Sequence, residues 1–325
     1  MPVSVGVDLG GTKVQTVVLR ARRVIGQGRS RTPEGGADAV TDVILATIDQ
    51  ALASAGVGRD EVAGIGIGFP GQFDPESGDT LSAVNLKGFQ DRYPLGSRVS
   101  KAVHSAPVVL DNDVRAALSG EYRLGSGRGY RNLLGVFVGT GVGGGLVLEG
   151  KLRRGRGAAG EIGHTVVKDG GRECGCGRRG CLEAYAGRGR MELRARDLVK
   201  QGKKTSLFDI MERKRRDRLT SGVIVAALEQ NDAVATALVD DAVWALGVSL
   251  ASVQNALDLE AIIIGGGLGD RLGVPFIKRV AAAMQPHLFM DKAPPAMLPT
   301  TLGDLSGAVG AALLVAGVGN ASTPS

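Results

Sequence analysis

All three cysteines of this 325-residue chain, Cys174, Cys176 and Cys181, fall within eight residues, and His164 stands ten residues before the first. Three thiolates and one imidazole form a closed tetrahedral set for Zn²⁺ and leave no open position, so the metal they imply is structural. Gly175, Gly177 and Gly180 lie between the ligands and suit a chain doubling back around one ion, because a Cβ obstructs some of the backbone conformations required. An odd cysteine count in a long chain argues against a disulfide scaffold. Carboxylates flank the loop, Glu161 three residues before the histidine and Glu183 two after the last cysteine. A metal that fixes the loop therefore also fixes where those carboxylates point.

The 51 glycines cluster at the ends of apolar runs, where they mark turns. A β-rich run over 3–7 stops at Asp8-Leu9-Gly10-Gly11-Thr12-Lys13 and resumes over 14–19, which predicts a hairpin. Its double-glycine turn can aim backbone N–H groups at an anion, and Thr12 adds a hydroxyl, so the turn is a candidate phosphate cradle. Asp8, at the strand end, is placed to hold Mg²⁺ through water. Apolar spacing predicts a helix over 40–55, and a strand over 62–69 ends in Pro70-Gly71-Gln72, at the strand end where open α/β sheets bind ligands. A strand over 107–110 leads through Asp111-Asn112-Asp113 into a helical pattern over 114–124. Asp113 can be read as a general base. Asp111 or Asn112 can equally be read as a helix cap.

From Leu133 the opening theme recurs, LLGVFVGTGVGGGLVLEG being again strand, glycine turn and strand. Gly139, Gly141 and Gly144 satisfy G-x-G-x-x-G, but strand-like residues follow where a dinucleotide fingerprint needs a helix. Two such openings suggest a duplicated fold with two phosphate loops facing one cleft. Helical patterns cover 182–199 and 221–259, the latter with the only tryptophan, Trp244, on its apolar face and so expected in the core. A buried strand over 261–264 ends in Gly265-Gly266-Gly267, where a flat ligand such as adenine could lie on bare backbone. A last pattern over 306–318, rich in Ala and Gly, can pack closely on another helix, and the tail 319–325 is expected to be disordered.

Composition excludes several functions. Aromatics are only 4% of the chain, so the core must be aliphatic. Most of the net charge of +6 lies in 194–218, mixed with acids and without interleaved aromatics, which reads as a solvated helical face rather than a nucleic-acid site. No signal peptide and no apolar run of about 18 residues is apparent, so a cytoplasmic protein with no membrane partner is expected.

These residues resemble the ROK family of sugar kinases and sugar-responsive repressors, within the sugar kinase, Hsp70 and actin superfamily, over nearly the whole chain. DLGGTK at 8–13 is similar to the family's first phosphate loop, GTGVGGG at 139–145 to the second, and IIIGGGLGD at 262–270 to its adenosine loop. GEIGH and CGCGRRGCLE resemble its signature. The resemblance implies an α/β, two-domain, actin-like ATPase (ribonuclease H-like) fold with a cleft between the domains and a zinc-stabilised loop in the larger one. The expected division is 1–112 plus 304–325, then 113–303. It further implies Asp113 as catalytic base, and sugar contacts from Gly71, Asn85, Asn112, Asp113, Glu161, His164 and Glu183. Nucleotide contacts would come from Asp8, Gly10, Gly11, Thr12, Lys13, Gly139, Thr140, Gly141, Gly265, Gly266 and Gly267.

The implied cofactors are ATP, Mg²⁺ and a structural Zn²⁺, and the implied assembly is a homodimer or dimer of dimers. The expected reaction is transfer of the γ-phosphoryl group to a hexose, glucose at its 6-hydroxyl foremost. N-acetylmannosamine, N-acetylglucosamine, fructose, allose or a cyclitol are the alternatives. ROK repressors carry a winged helix before the first phosphate loop, and here that loop begins at Asp8, which favours the kinase. Asp111-Asn112-Asp113-Val114 and Phe89 depart from the commoner glucokinase pattern without removing a hydroxyl ligand.

Overall fold

A computed structural model describes residues 2–83 and 86–315. Asn85, the end of the last helical pattern at 316–318 and the tail 319–325 lie outside the described residues. In chain order the elements are β1 (Val3–Leu9), β2 (Lys13–Arg20), β3 (Arg23–Arg31), α1 (Ala37–Ala55), β4 (Val62–Phe69), β5 (Gln72–Phe73), β6 (Thr80–Ser82), α2 (Leu95–Ala102), β7 (Val108–Asn112) and α3 (Asp113–Leu124). There follow β8 (Leu133–Val138), β9 (Val142–Leu148), β10 (Lys151–Arg153), α4 (Glu183–Ala186), α5 (Arg188–Lys200), α6 (Leu207–Arg213), α7 (Ser221–Leu228) and α8 (Ala233–Leu257). The chain closes with β11 (Ala261–Gly265), α9 (Gly266–Met284), β12 (Ala296–Pro299) and α10 (Ser306–Val315).

Two compact units result, 1–128 with 304–325, and 129–303. Helix α3 belongs to the first, whereas the expected boundary at 112/113 set it in the second. The physical reason is that α3 packs on α10 and β4: Gly310 sits so close to Ala116 that a Cβ would come within 1.6 Å of its carbonyl oxygen. Glu121, fully buried, also accepts from Ser306 Oγ at 2.8 Å.

The first unit is a 5-stranded sheet in the order β3-β2-β1-β4-β7, antiparallel across β1–β2–β3 and parallel across β1–β4–β7. Strand β4, VAGIGIGF, shows how sequence sets the layers. Side chains alternate across a strand, so Ile65, Ile67 and Phe69 share one face, where α1 contributes Ile44 and Ile48 to the same core. The opposite face is glycine at 64, 66 and 68, and there the backbone of α10 comes down onto the sheet. A Cβ on Gly66 would lie 1.8 Å from the Ala311 carbonyl oxygen.

The second unit repeats the plan. Its sheet runs β10-β9-β8-β11-β12, with the same antiparallel and parallel senses. The sequence-level duplication is thus a duplication of topology. The two predicted helical runs are broken, the first at Gly187 and the second at 229–232, where Asp232 caps α8 through Ala235 N. Within 194–218 only 194–200, in α5, and 207–213, in α6, are helical, so the expected single charged face is two short ones separated by loop. Helix α8 is long and apolar enough to cross a membrane by length and composition, contrary to the expectation that no run reaches that length. Its apolar window is 61% buried, and Leu238, Ala242, Leu246 and Leu250 join the unit's core. Trp244, expected in that core, is instead 39% exposed, edge-on to Tyr185 at 5.4 Å.

Candidate functional site

In the first unit the expected residues gather at the C-terminal ends of β1, β4 and β7. The register aligns Asp8 with Gly68 and Gly68 with Asp111. Glycine at 68 leaves the central strand without a side chain there, and a Cβ would come within 3.3 Å of the Asp113 Cα. Asp8 and Asp113 therefore approach each other across bare backbone. Burial, reinforced by the negative charge of Asp113, raises Asp8 to about 7 despite the opposing pull of Lys13. The Asp8 carboxylate also lies against Gly307 in the first turn of α10, where a Cβ would meet Asp8 Cγ at 2.6 Å.

Asp111, Asn112 and Asp113 have separate tasks. Asp111 is buried, accepting Arg115 Nε and its neighbour's N–H, each at 2.8 Å. Asn112 is the cap of α3, its Oδ1 accepting from Val114 N and Arg115 N at 3.1 Å each. That leaves its Nδ2 as a donor to any ligand. Asp113 is the first residue of the helix and half-buried, with Oδ1 accepting Val114 N at 2.9 Å.

The first glycine turn is closed by Gly10 N to Lys13 O at 2.9 Å, with Thr32 Oγ1 donating to Gly10 O at 2.6 Å, and it leaves Gly11 and Thr12 exposed. Lys13 pairs with Asp304 at 3.0 Å. Gly71 admits no side chain, since a Cβ would meet Ser82 O at 2.2 Å. Phe89 is fully buried between Phe69 and Tyr93, with ring centroids 5.5 Å apart on each side, so it is part of the core here.

The second unit carries the remaining residues. Gly139, Thr140 and Gly141 join β8 to β9, and Gly139 N donates to Gly141 O at 2.8 Å. Glu183, which opens α4, backs onto this turn: its Oε2 accepts Val142 N at 3.0 Å, and a Cβ on Gly141 would collide with it at 2.3 Å. Its other oxygen lies 3.7 Å from Cys174 Sγ. One carboxylate thus joins the second glycine turn to the cysteine loop.

In that loop a single 3-10 turn, Ile162–His164, presents the histidine, with Glu161 exposed just ahead of it. Cys174 and Cys176 sit on a tight reversal closed by Cys174 N to Arg178 O at 2.8 Å. Gly180 makes the return possible, having φ 83° and no room for a Cβ, which would fall 1.8 Å from the Lys168 carbonyl. Gly175 has no such φ, so that part of the expectation does not hold for it. The donor atoms of His164, Cys174, Cys176 and Cys181 all lie within 4.8 Å of one another. Cys176 and Cys181 sulfurs are 3.8 Å apart, as are Cys174 Sγ and His164 Nδ1. A tetrahedral ion with Zn–S bonds of about 2.3 Å sets its sulfurs about 3.8 Å apart, so the residues fit zinc. Burial pushes Cys174 up to about 12, and the Arg178 N–H draws Cys176 down. A metal binding here must displace thiol protons.

The loop at 265–267, expected to take adenosine, has less open backbone than its three glycines suggest. Gly265 is crowded by Thr300, and Gly266, at φ 80°, packs on Val138 at the end of β8. Only Gly267 keeps an open face, its nearest neighbour being Ser221 Oγ at 3.5 Å. The loop therefore lies beside the strand that leads into the second glycine turn. Sequence reading missed Arg188, whose Nη2 donates to Thr140 Oγ1 at 3.2 Å. The available signal was two arginines, 188 and 190, opening a helix at the end that favours acids.

The ROK family model matches residues 4–318. A glucokinase of Halalkalibacterium halodurans is 35% identical over 319 residues, covering 96% of this chain and 94% of the relative. An N-acetylmannosamine kinase of Yersinia pestis is 33% identical over 287 residues, covering 88% and 89%. The crystal structure of a ROK family glucokinase from Streptomyces griseus, in complex with glucose and AMPPNP, matches with a TM-score of 0.81 at 32% identity, covering 96% of this chain and 98% of that one.

Proposed function

The chain belongs to the ROK family, and from that premise we propose that it transfers the γ-phosphoryl group of ATP to glucose, giving glucose 6-phosphate. Its fold is the α/β, actin-like ATPase fold of the ROK glucokinase structures. The observation that carries the reading is the Asp8–Gly68–Asp113 arrangement, which sets a half-exposed carboxylate at the head of α3 beside the first glycine turn.

A sugar hydroxyl becomes a competent nucleophile only as its proton leaves, and Asp113 is the acceptor. Asn112, its Oδ1 held by the cap, offers Nδ2 to a sugar oxygen, and Gly71 contacts the sugar through its backbone, its glycine being required by the packing on Ser82. Asn85, Glu161 and Glu183 complete the hydroxyl contacts. His164, whose Nδ1 faces Cys174, would hold zinc through that atom and keep Nε2–H as a donor to the sugar. The glycine turns at 10–13 and 139–141 take the phosphates, and Gly267 takes the adenine. Mg²⁺ would offset phosphate charge when bound, and the carboxylates of Asp8 and nearby Asp113 are oxygen donors suited to such a hard cation. Zn²⁺ orders the 164–181 loop and takes no part in the bond chemistry. The protein works as a homodimer in carbohydrate metabolism.

Similarity to N-acetylmannosamine kinases carries the second reading, in which that amino sugar is the substrate. An ADP-release assay over hexoses, N-acetylhexosamines and cyclitols separates the two. Glucose should lead in kcat/KM by about tenfold or more, a gap of about 1.4 kcal/mol in transition-state binding. Preference for N-acetylmannosamine would overturn the glucose assignment and leave the kinase standing.

A further inference from the structure

The mechanism above leaves Arg188 without a task, and its surroundings are unusual for an arginine. It opens α5, where the helix dipole favours anions, yet no acid occupies that first turn. Its Nε is buried with no hydrogen-bond partner among the described residues, as are those of Arg20, Arg153 and Arg194, but of these four Arg188 alone reaches the second glycine turn. Burial with no carboxylate alongside draws its pKa below the usual value. A desolvated guanidinium without a counter-ion is costly to keep, so a position holding one implies an anion that arrives from outside.

The location narrows that anion. The side chain crosses to the second glycine turn, with Nη2 on Thr140 Oγ1 at 3.2 Å, and Thr140 is exposed. The backbone fixes this register, since Arg188 N donates to Gly139 O at 3.2 Å and Gly189 N to Thr140 O at 3.0 Å. Any anion resting on the 139–141 turn meets the guanidinium. That turn follows Val138, on which Gly266 packs, so a ligand lying on the 265–267 loop has the turn within reach of an anionic tail.

We propose that Arg188 binds the phosphate tail of the nucleotide, its guanidinium fork taking phosphate oxygens beside Thr140. The proposal rests on the kinase reading. A guanidinium suits the task because its planar donors match two phosphate oxygens at once, which an ammonium cannot do.

Isothermal titration of the zinc-loaded full chain with ADP and with adenosine, each with Mg²⁺, tests it. Arg188→Gln should weaken ADP by about tenfold or more and leave adenosine within about twofold, because only the charged hydrogen bonds are lost. Arg188→Lys should recover part of the ADP affinity. In turnover, the KM for ATP should rise with the sugar KM unchanged. Unaltered ADP affinity in Arg188→Gln would overturn the proposal, as would parallel loss of ADP and adenosine with a lowered Tm, which marks a scaffold residue. Wild-type protein that binds no ADP would overturn the kinase reading itself, a result distinguishable from failure at Arg188 alone.

Discussion

Asp113 and Asn112 are adjacent and both polar, yet the hydrogen bonds divide them sharply. Because Asn112 already caps α3, Asp113→Asn leaves the cap intact and removes only the ability to accept a proton. Turnover should fall by roughly 10²–10⁴-fold, with sugar affinity and Tm little changed. A variant keeping more than about a tenth of wild-type turnover would mean that the base lies elsewhere. Asp8 makes a different prediction, through its proton. Its folded pKa, about 7, exceeds the ordinary 3.8, so between those values the folded state holds a proton that the unfolded state has released. The stability this confers is complete below about pH 4 and is lost as pH rises through about 7, amounting to at most about 4 kcal/mol. Melting from pH 5 to 8 without divalent cations should therefore show wild type losing ground to Asp8→Asn. Equal slopes in the two proteins would remove the case for a buried Asp8 that keeps its proton to about pH 7.

At the scale of elements, the zinc loop separates metal effects from packing effects. Cys176 is exposed, so Cys176→Ala loses almost no buried surface. Zinc by elemental analysis should fall well below one per chain, and sugar affinity should fall with it, because His164 and Glu183 both lean on Cys174. Unchanged sugar binding in zinc-depleted protein would sever loop from site. The loop was legible in sequence because ligand types at fixed spacing have few other uses, and the hairpins were legible because glycine pairs punctuate apolar runs. Helix limits were less so. Gly187 and the turn before Asp232 split runs whose apolar pattern continues through both, and Trp244 shares that pattern while facing outward beside Tyr185. Periodicity names a helix face but not how far the neighbouring elements cover it. Arg188 escaped for a related reason, since its meaning depends on Thr140, 48 residues away.

The whole molecule is one topology used twice, with the first copy completed by the last helix. That the chain repeats itself could be read from two strand, glycine turn, strand openings. That α3 belongs with the first unit could not, because its partner α10 lies nearly 200 residues on, Arg123 reaching Leu313 O at a separation of 190. The Ala and Gly content of 306–315 did announce a close approach, and the structure supplies the surfaces, Gly6 and Gly66 of the sheet and Ala116 and Gly120 of α3. This closure yields a test of which unit holds what. Gly310→Ala places a Cβ 1.6 Å from a backbone oxygen that cannot swing aside, so α10 and α3 must part. The expected cost is about 1–3 kcal/mol or more, read as a lowered denaturant midpoint. Zinc should stay at one per chain in the same preparation, since every ligand and the Lys168 to Gly180 packing that shapes the loop belong to 129–303. Loss of zinc in parallel with the midpoint would show that the metal loop depends on the first unit for its fold, against the self-contained loop argued from Gly180 and Glu183.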